Sequence, residues 1–149
     1  MKALIQRVSK AKVEVGGDVV GQINKGILIF LGIGHEDTEK DIEYLVDKII
    51  HLRIFENDGK PMDKSINDIA GEMLIVSQFT LYGSMKKGRR PDFGEAADPT
   101  KAKDLYDKFV EACHGTGLKT ETGEFAAMMD VSLTNDGPVT FMLESNSIK

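Results

Sequence analysis

The sequence predicts a single α+β domain over residues 1–149, a largely antiparallel sheet carrying two main α-helices. Three observations predict it. Short apolar segments, several alternating with a period of two, are separated by turns rich in Gly, Asn and Asp. Two longer segments instead repeat apolar residues at helical spacing between cap residues. No internal repeat, low-complexity tract or linker divides the chain.

The elements follow in order. Ala11, Val13 and Val15 alternate with Lys10, Lys12 and Glu14, the pattern of a half-buried strand. Gly16-Gly17-Asp18 turns into Val19–Ile23, and Asn24-Lys25-Gly26 turns into the continuous apolar run Ile27–Leu31; such short connections favour antiparallel neighbours. The first helix has Thr38 and Asp41 at capping-box spacing and a stripe of Ile42, Leu45, Val46, Ile49 and Ile50. After the loop Asn57–Pro61, the strand Met73–Val76 delivers Ser77-Gln78-Phe79-Thr80 at its end. The second helix opens on Asp98 and Pro99 and closes at Gly115, burying Ala102, Leu105, Tyr106, Phe109, Val110 and Cys113. Two last strands, Met129–Leu133 and Val139–Leu143, are expected to be joined by a hairpin turn at Asn135-Asp136-Gly137-Pro138.

Composition excludes more than it identifies. At 149 residues, folding buries roughly 68–70% of the unfolded surface, enough for a core without staples. No apolar run approaches the roughly 20 residues of a membrane helix. A charge at Lys2 interrupts any signal-like core, so a cytoplasmic protein is expected. Cys113 is the lone cysteine, which precludes an internal disulfide and fits helix packing. His35, His51 and His114 lack metal-ligand spacing, so neither a metal nor a cofactor is expected. The net charge of −5 argues against coating DNA or any nucleic acid non-specifically. A local exception is Lys86-Lys87-Gly88-Arg89-Arg90, four of the nineteen basic residues in five positions.

Familiar signatures fail on inspection. Gly32-Ile33-Gly34 lacks the third glycine of a dinucleotide fingerprint, and Asp37 stands where that glycine belongs. Gly83 to Gly88 has P-loop glycine spacing, but Arg89-Arg90-Pro91 follows in place of Lys-Ser/Thr. No nucleophile elbow is present, and no histidine is marked as a base for Ser77 or Thr80. By themselves those hydroxyls end a strand as Ser and Thr commonly do. A Gly-Pro bond at a tight turn is where a cis peptide occurs, although only about 5–6% of X-Pro bonds in folded proteins are cis. Lys86–Arg90 is either a solvated loop or a phosphate-binding patch, with Phe93 and Tyr82 near enough in sequence to stack on bases.

Taken together, these segments resemble the D-aminoacyl-tRNA deacylase family over almost the whole chain. The resemblance runs through Met1–Val8, Ser77–Tyr82, Lys87–Phe93, Leu105–Asp107, Gly123–Met128 and Asn135–Thr140. It implies a barrel-like homodimer that hydrolyses the ester between a D-amino acid and the 3′-adenosine of tRNA, with glycine as a further substrate. Ser77, Gln78, Phe79 and Thr80 then line the pocket, and Ala127 and Met128 border the adenosine. Gly137 and Pro138 act in the partner's pocket as a chirality filter, because a fixed main chain leaves no room for an L side chain. Lys86, Lys87, Arg89 and Arg90 become the RNA contacts. The family has two accounts of attack, a Thr80 nucleophile or help from the RNA 2′-hydroxyl. An unassisted threonine is a poor nucleophile, which favours the second, with Thr80 and Gln78 positioning. One departure is Ala126, where the family usually has Gly. The competing expectations are a non-catalytic RNA-binding module of the same fold and a Thr/Ser-dependent hydrolase of small esters.

Overall fold

A computed structural model describes residues 1–145; the expected domain's last four residues, 146–149, lie outside the described residues. Its spine is β1, Lys2–Val15, which carries partners on both edges. On one edge, β3 (Gly26–Gly32) pairs with Lys2–Val8 and β2 (Asp18–Ile23) with Ala11–Val15, both antiparallel. The short connection between β2 and β3 therefore joins two strands lying end to end along β1, not hairpin partners. On the other edge, β8 (Asp130–Glu144) follows β1 antiparallel along nearly its full length.

The expected C-terminal hairpin is not formed. Asn135–Pro138 is an excursion within β8: between the pairs Gln6–Thr140 and Lys10–Thr134, β1 advances four residues and β8 six. The two extra residues leave the ladder as a bulge does, because both flanking segments are held by the same neighbour, β1. Asp-Gly alone signals a turn, and the sequence does not reveal that a third strand holds both arms.

The remaining strands of the main sheet run parallel. β6 (Glu72–Ser77) pairs with β3, and β7 (Thr120–Thr122) with β6. The sheet curls until β2 approaches β7: a Cβ on Gly21 would lie 2.3 Å from the Thr122 carbonyl oxygen. This nearly closed barrel encloses Val8, Ala11, Val13, Ile23, Leu28, Leu74 and Val76. A second core fills the space between the sheet and the helices. Ala3 and Ile5 of β1 face that second core and Val8 faces the barrel by simple alternation, but Ala11 and Val13 face the barrel too, so the irregularity between Val8 and Lys10 exchanges the faces.

The helices match their caps. In α1 (Glu39–His51), Thr38 and Asp41 make the reciprocal capping box. In α3 (Pro99–His114), Asp98 Oδ1 accepts from the Lys101 amide at 3.0 Å and Gly115 closes the end. Between them lie a small hairpin, β4 (Phe55–Asn57) with β5 (Lys60–Lys64), and one turn of helix, α2 (Ile66–Ile69). Cys113 is buried in the helix-side core, which pushes its thiol up to about 12. No helix among the described residues is long and apolar enough to cross a membrane.

Candidate active site

Because β3, β6 and β7 are mutually parallel, their C-terminal ends open on one edge of the sheet. In open α/β sheets this edge is where loops leave the sheet and ligands bind. Here it carries Gly32-Ile33-Gly34, the segment from Ser77 onward and the loop from Gly123 to Met129.

Ser77 is the last residue of β6 and Gln78 donates its amide to the Leu31 carbonyl at 2.8 Å, extending the ladder one step. Phe79–Tyr82 then form a 3-10 turn packed on the end of β3. That packing requires the glycines at 32 and 34. A Cβ on Gly32 would meet Leu81 Cβ at 3.0 Å, and one on Gly34 would meet the Tyr82 ring at 2.9 Å. The turn is anchored beneath by Tyr82, whose hydroxyl donates to buried Asp37 at 3.4 Å; burial foremost, then Asp37, raises its pKa. The turn presents Phe79, 55% exposed, and the exposed Thr80 outward.

The Thr80 hydroxyl accepts from Gln78 Nε2. Among the described residues no imidazole hydrogen-bonds to it: His35 Nε2 lies 2.6 Å from the Gly94 carbonyl, and His51 Nδ1 lies 2.9 Å from that of Asp47. The arrangement orients a hydroxyl and an amide without a base. Among the described residues, no group of three or more His, Cys, Asp or Glu side chains is placed to hold a metal ion.

The loop after β7 stays beside this segment. Gly123 donates its amide to the Ile75 carbonyl, two residues before Ser77, and Tyr106 Oη donates to the same carbonyl at 2.9 Å while its ring contacts Phe125. From there Ala126, Ala127 and Met128 turn outward, Met128 92% exposed. Ala126 has φ of +63°, the left-handed region that favours glycine.

Across the site from β7, Phe93 packs edge-on against Phe79 with centroids 4.9 Å apart. It follows a loop closed by reciprocal backbone hydrogen bonds between Ser84 and Asp92, and Lys86, Lys87, Arg89 and Arg90 are exposed on that loop. Of the two stacking residues suggested by sequence, Phe93 is exposed and Tyr82 is buried.

Gly137 and Pro138 are elsewhere. Among the described residues, no hydrogen bond or ring contact joins them to Ser77–Thr80 within one chain. Their peptide is cis. The excursion is braced on both sides. Arg7 Nε donates to the Asp136 carbonyl at 2.9 Å while Nη1 donates to the Ile54 carbonyl at 2.6 Å. Asn135 Oδ1 accepts from the Val139 amide at 2.9 Å, and its Nδ2 donates to Thr140 Oγ1. Glycine suits position 137, where φ of +139° strains any L side chain and a Cβ would approach Val139 Cγ2 to 2.7 Å. Nothing in the sequence assigns a role to Arg7, which lies within Met1–Val8. Only its position opposite the bulge reveals what its fork holds.

Comparison with known proteins bears on both parts of this geometry. The family described as D-Tyr-tRNA(Tyr) deacylase matches residues 4–144. The chain belongs to that family. D-aminoacyl-tRNA deacylases from Thermosipho africanus and Aquifex aeolicus are each 57% identical to it, over 99% of this chain and 99% and 100% of theirs. Among solved structures, one described as c-Myc DNA Unwinding Element Binding Protein superposes with a TM-score of 0.92 at 45% identity, covering 97% of this chain and 98% of that one. Ser77–Thr80 and Asn135–Thr140 both fall within the matched residues.

Proposed function

We propose that the protein is a cytoplasmic editing hydrolase that cleaves the ester of D-aminoacyl-tRNA and of glycine mischarged on tRNA. It works as a homodimer in which Gly137 and Pro138 of each subunit enter the other's pocket. The observation that carries this reading is the braced excursion at 135–140, which holds a rigid Gly-Pro away from its own chain's Ser77–Thr80. A second copy brings the two together. It would also cover the outward Phe79 and the exposed Phe141 and Met142 of β8.

In this arrangement the terminal adenosine lies against Ala127 and Met128, the amino acid against Phe79, and the ester near Thr80 and Gln78. An aminoacyl ester is an activated acyl group, so oriented donors and a positioned water suffice for attack. With no base on Thr80, the RNA's 2′-hydroxyl assists and Thr80 positions. Rejection by main chain excludes an L side chain yet admits glycine, which has none to exclude.

Purified protein should deacylate D-tyrosyl-tRNA and spare the L-ester; equal turnover of both, or none of the D-ester, overturns the reading. Thr80→Val is expected to lower kcat less than about tenfold, whereas losing a nucleophile costs ~10³-fold or more. Replacing the terminal 2′-hydroxyl by hydrogen should cost more than the Thr80 change. The likeness to a DNA unwinding element binding protein supports a second reading, nucleic-acid binding without turnover. Duplex binding by a protein inert to the D-ester would favour it.

A further inference from the structure

We infer that an outward dimple on the β2–β1–β8 surface seats a backbone phosphate of the tRNA acceptor strand whose 3′ end occupies the partner subunit's pocket; this rests on the function proposed above. The dimple measures about 350 Å³ and is walled by Lys10, Lys12, Gln22, Ser132 and Thr134. Ala11 and Leu133, whose side chains face the barrel interior, complete its lining beneath these residues.

The chemistry is that of an anion seat. Two ammonium groups, two hydroxyls and a carboxamide belong to its lining residues, and all five side chains are able to donate hydrogen bonds. Lys12 Nζ pairs with Glu14 at 2.9 Å, while Lys10 forms no ion pair among the described residues. In a chain of net charge −5, an unneutralised cation beside a concave donor cluster favours an anion over a cationic or apolar ligand. The loop at 86–90 offers more charge but no walls.

Position points to the acceptor strand rather than to free phosphate. Thr134, which pairs with Lys10, directly precedes Asn135, the start of the Gly-Pro excursion. Lys10 and Lys12 lie two and four residues past Val8, the partner of Asn135, hence roughly 7–14 Å along the strand. If Gly137 and Pro138 reach into the partner's pocket, the nucleotides just upstream of that pocket's adenosine pass over this dimple. Each subunit would then supply both the filter and a phosphate contact to RNA held by the other.

The test compares Lys10→Gln/Lys12→Gln with the unmodified protein on two substrates, D-tyrosyl-tRNA and the D-tyrosyl ester of adenosine, which has no phosphate. On the tRNA, kcat/KM should fall on the order of tenfold, and the slope of its logarithm against log salt should shrink by about 1. On the nucleoside ester it should not change. Lys10→Arg/Lys12→Arg should restore the slope. Equal loss on both substrates would assign the lysines to folding or assembly, and an unchanged slope on tRNA would leave the dimple as solvated surface; either overturns the inference. Failure of the deacylase reading shows separately, as an unmodified protein inert toward both esters.

Discussion

At Ala126 a methyl group stands on backbone with φ of +63°, and the preceding and following residues form a turn in which Ala127 donates to the Glu124 carbonyl at 3.2 Å. An L side chain there costs about 1 kcal/mol relative to glycine, offset in part by the extra freedom glycine has when unfolded. Ala126→Gly should therefore raise stability, by less than about 1 kcal/mol, in urea unfolding followed by circular dichroism. A loss of stability would show that the left-handed turn is not kept in solution. The same residue scale explains why the chemistry was only partly legible. Ser77 and Thr80 are ordinary strand-ending hydroxyls in sequence, and what distinguishes Thr80 is the Gln78 amide on it and the lack of any imidazole. Arg7 sits in a strand where nothing in sequence marks its target, since Asp136 is more than a hundred residues away along the chain.

Among the elements, the β4–β5 hairpin has the clearest electrostatic design. Asp63 accepts from Asn57 Nδ2 at 2.8 Å and from Arg53 Nη2 at 2.6 Å, with Lys60 at 3.4 Å. These partners, Asn57 foremost, favour the ionised form and lower its pKa from 3.8 to about 2. A depressed carboxylate stabilises the folded state fully above its unfolded value, and that contribution is lost as pH falls through the folded one. The hairpin should hold near pH 5 and loosen between about pH 4 and 2. Amide exchange at Phe55–Lys64 checks this, and Asp63→Asn should lose the dependence in that window; an unchanged profile would refute the assignment. The helices were readable because their signals are local: Thr38 with Asp41, and Asp98-Pro99, satisfy donors within four residues of themselves. The C-terminal strand was not, because whether Asp136-Gly137 reverses the chain or bulges from it depends on β1.

Over the whole molecule, charge and assembly decide how RNA is met. Lys86, Lys87, Arg89 and Arg90 form no ion pair among the described residues, and all four are exposed. If each meets one phosphate of the acceptor end, log K against log salt should slope by roughly −3 from this loop, and neutralising all four should remove that slope. Filter binding of a non-hydrolysable D-aminoacyl-tRNA analogue measures it, and an undiminished slope would make the loop a solvated one. The two signature segments lie on different surfaces of one chain, so in the proposed dimer the loop, the dimple at Lys10 and Lys12, and the Gly-Pro excursion would act together across two subunits.

The sequence by itself determined the α+β class, both main helices with their caps, the strands around Ala11–Val15, Val19–Ile23, Ile27–Leu31 and Met73–Val76, and the family resemblance. Periodicity, capping and turn chemistry are set by residues within a few positions of one another. Only the tertiary structure decided that β2 and β3 share one edge of β1, that Asn135–Pro138 bulges from a continuous strand, and that Arg7 braces it. Those outcomes depend on which strand lies alongside, and pairing across more than a hundred residues leaves no local mark in the sequence.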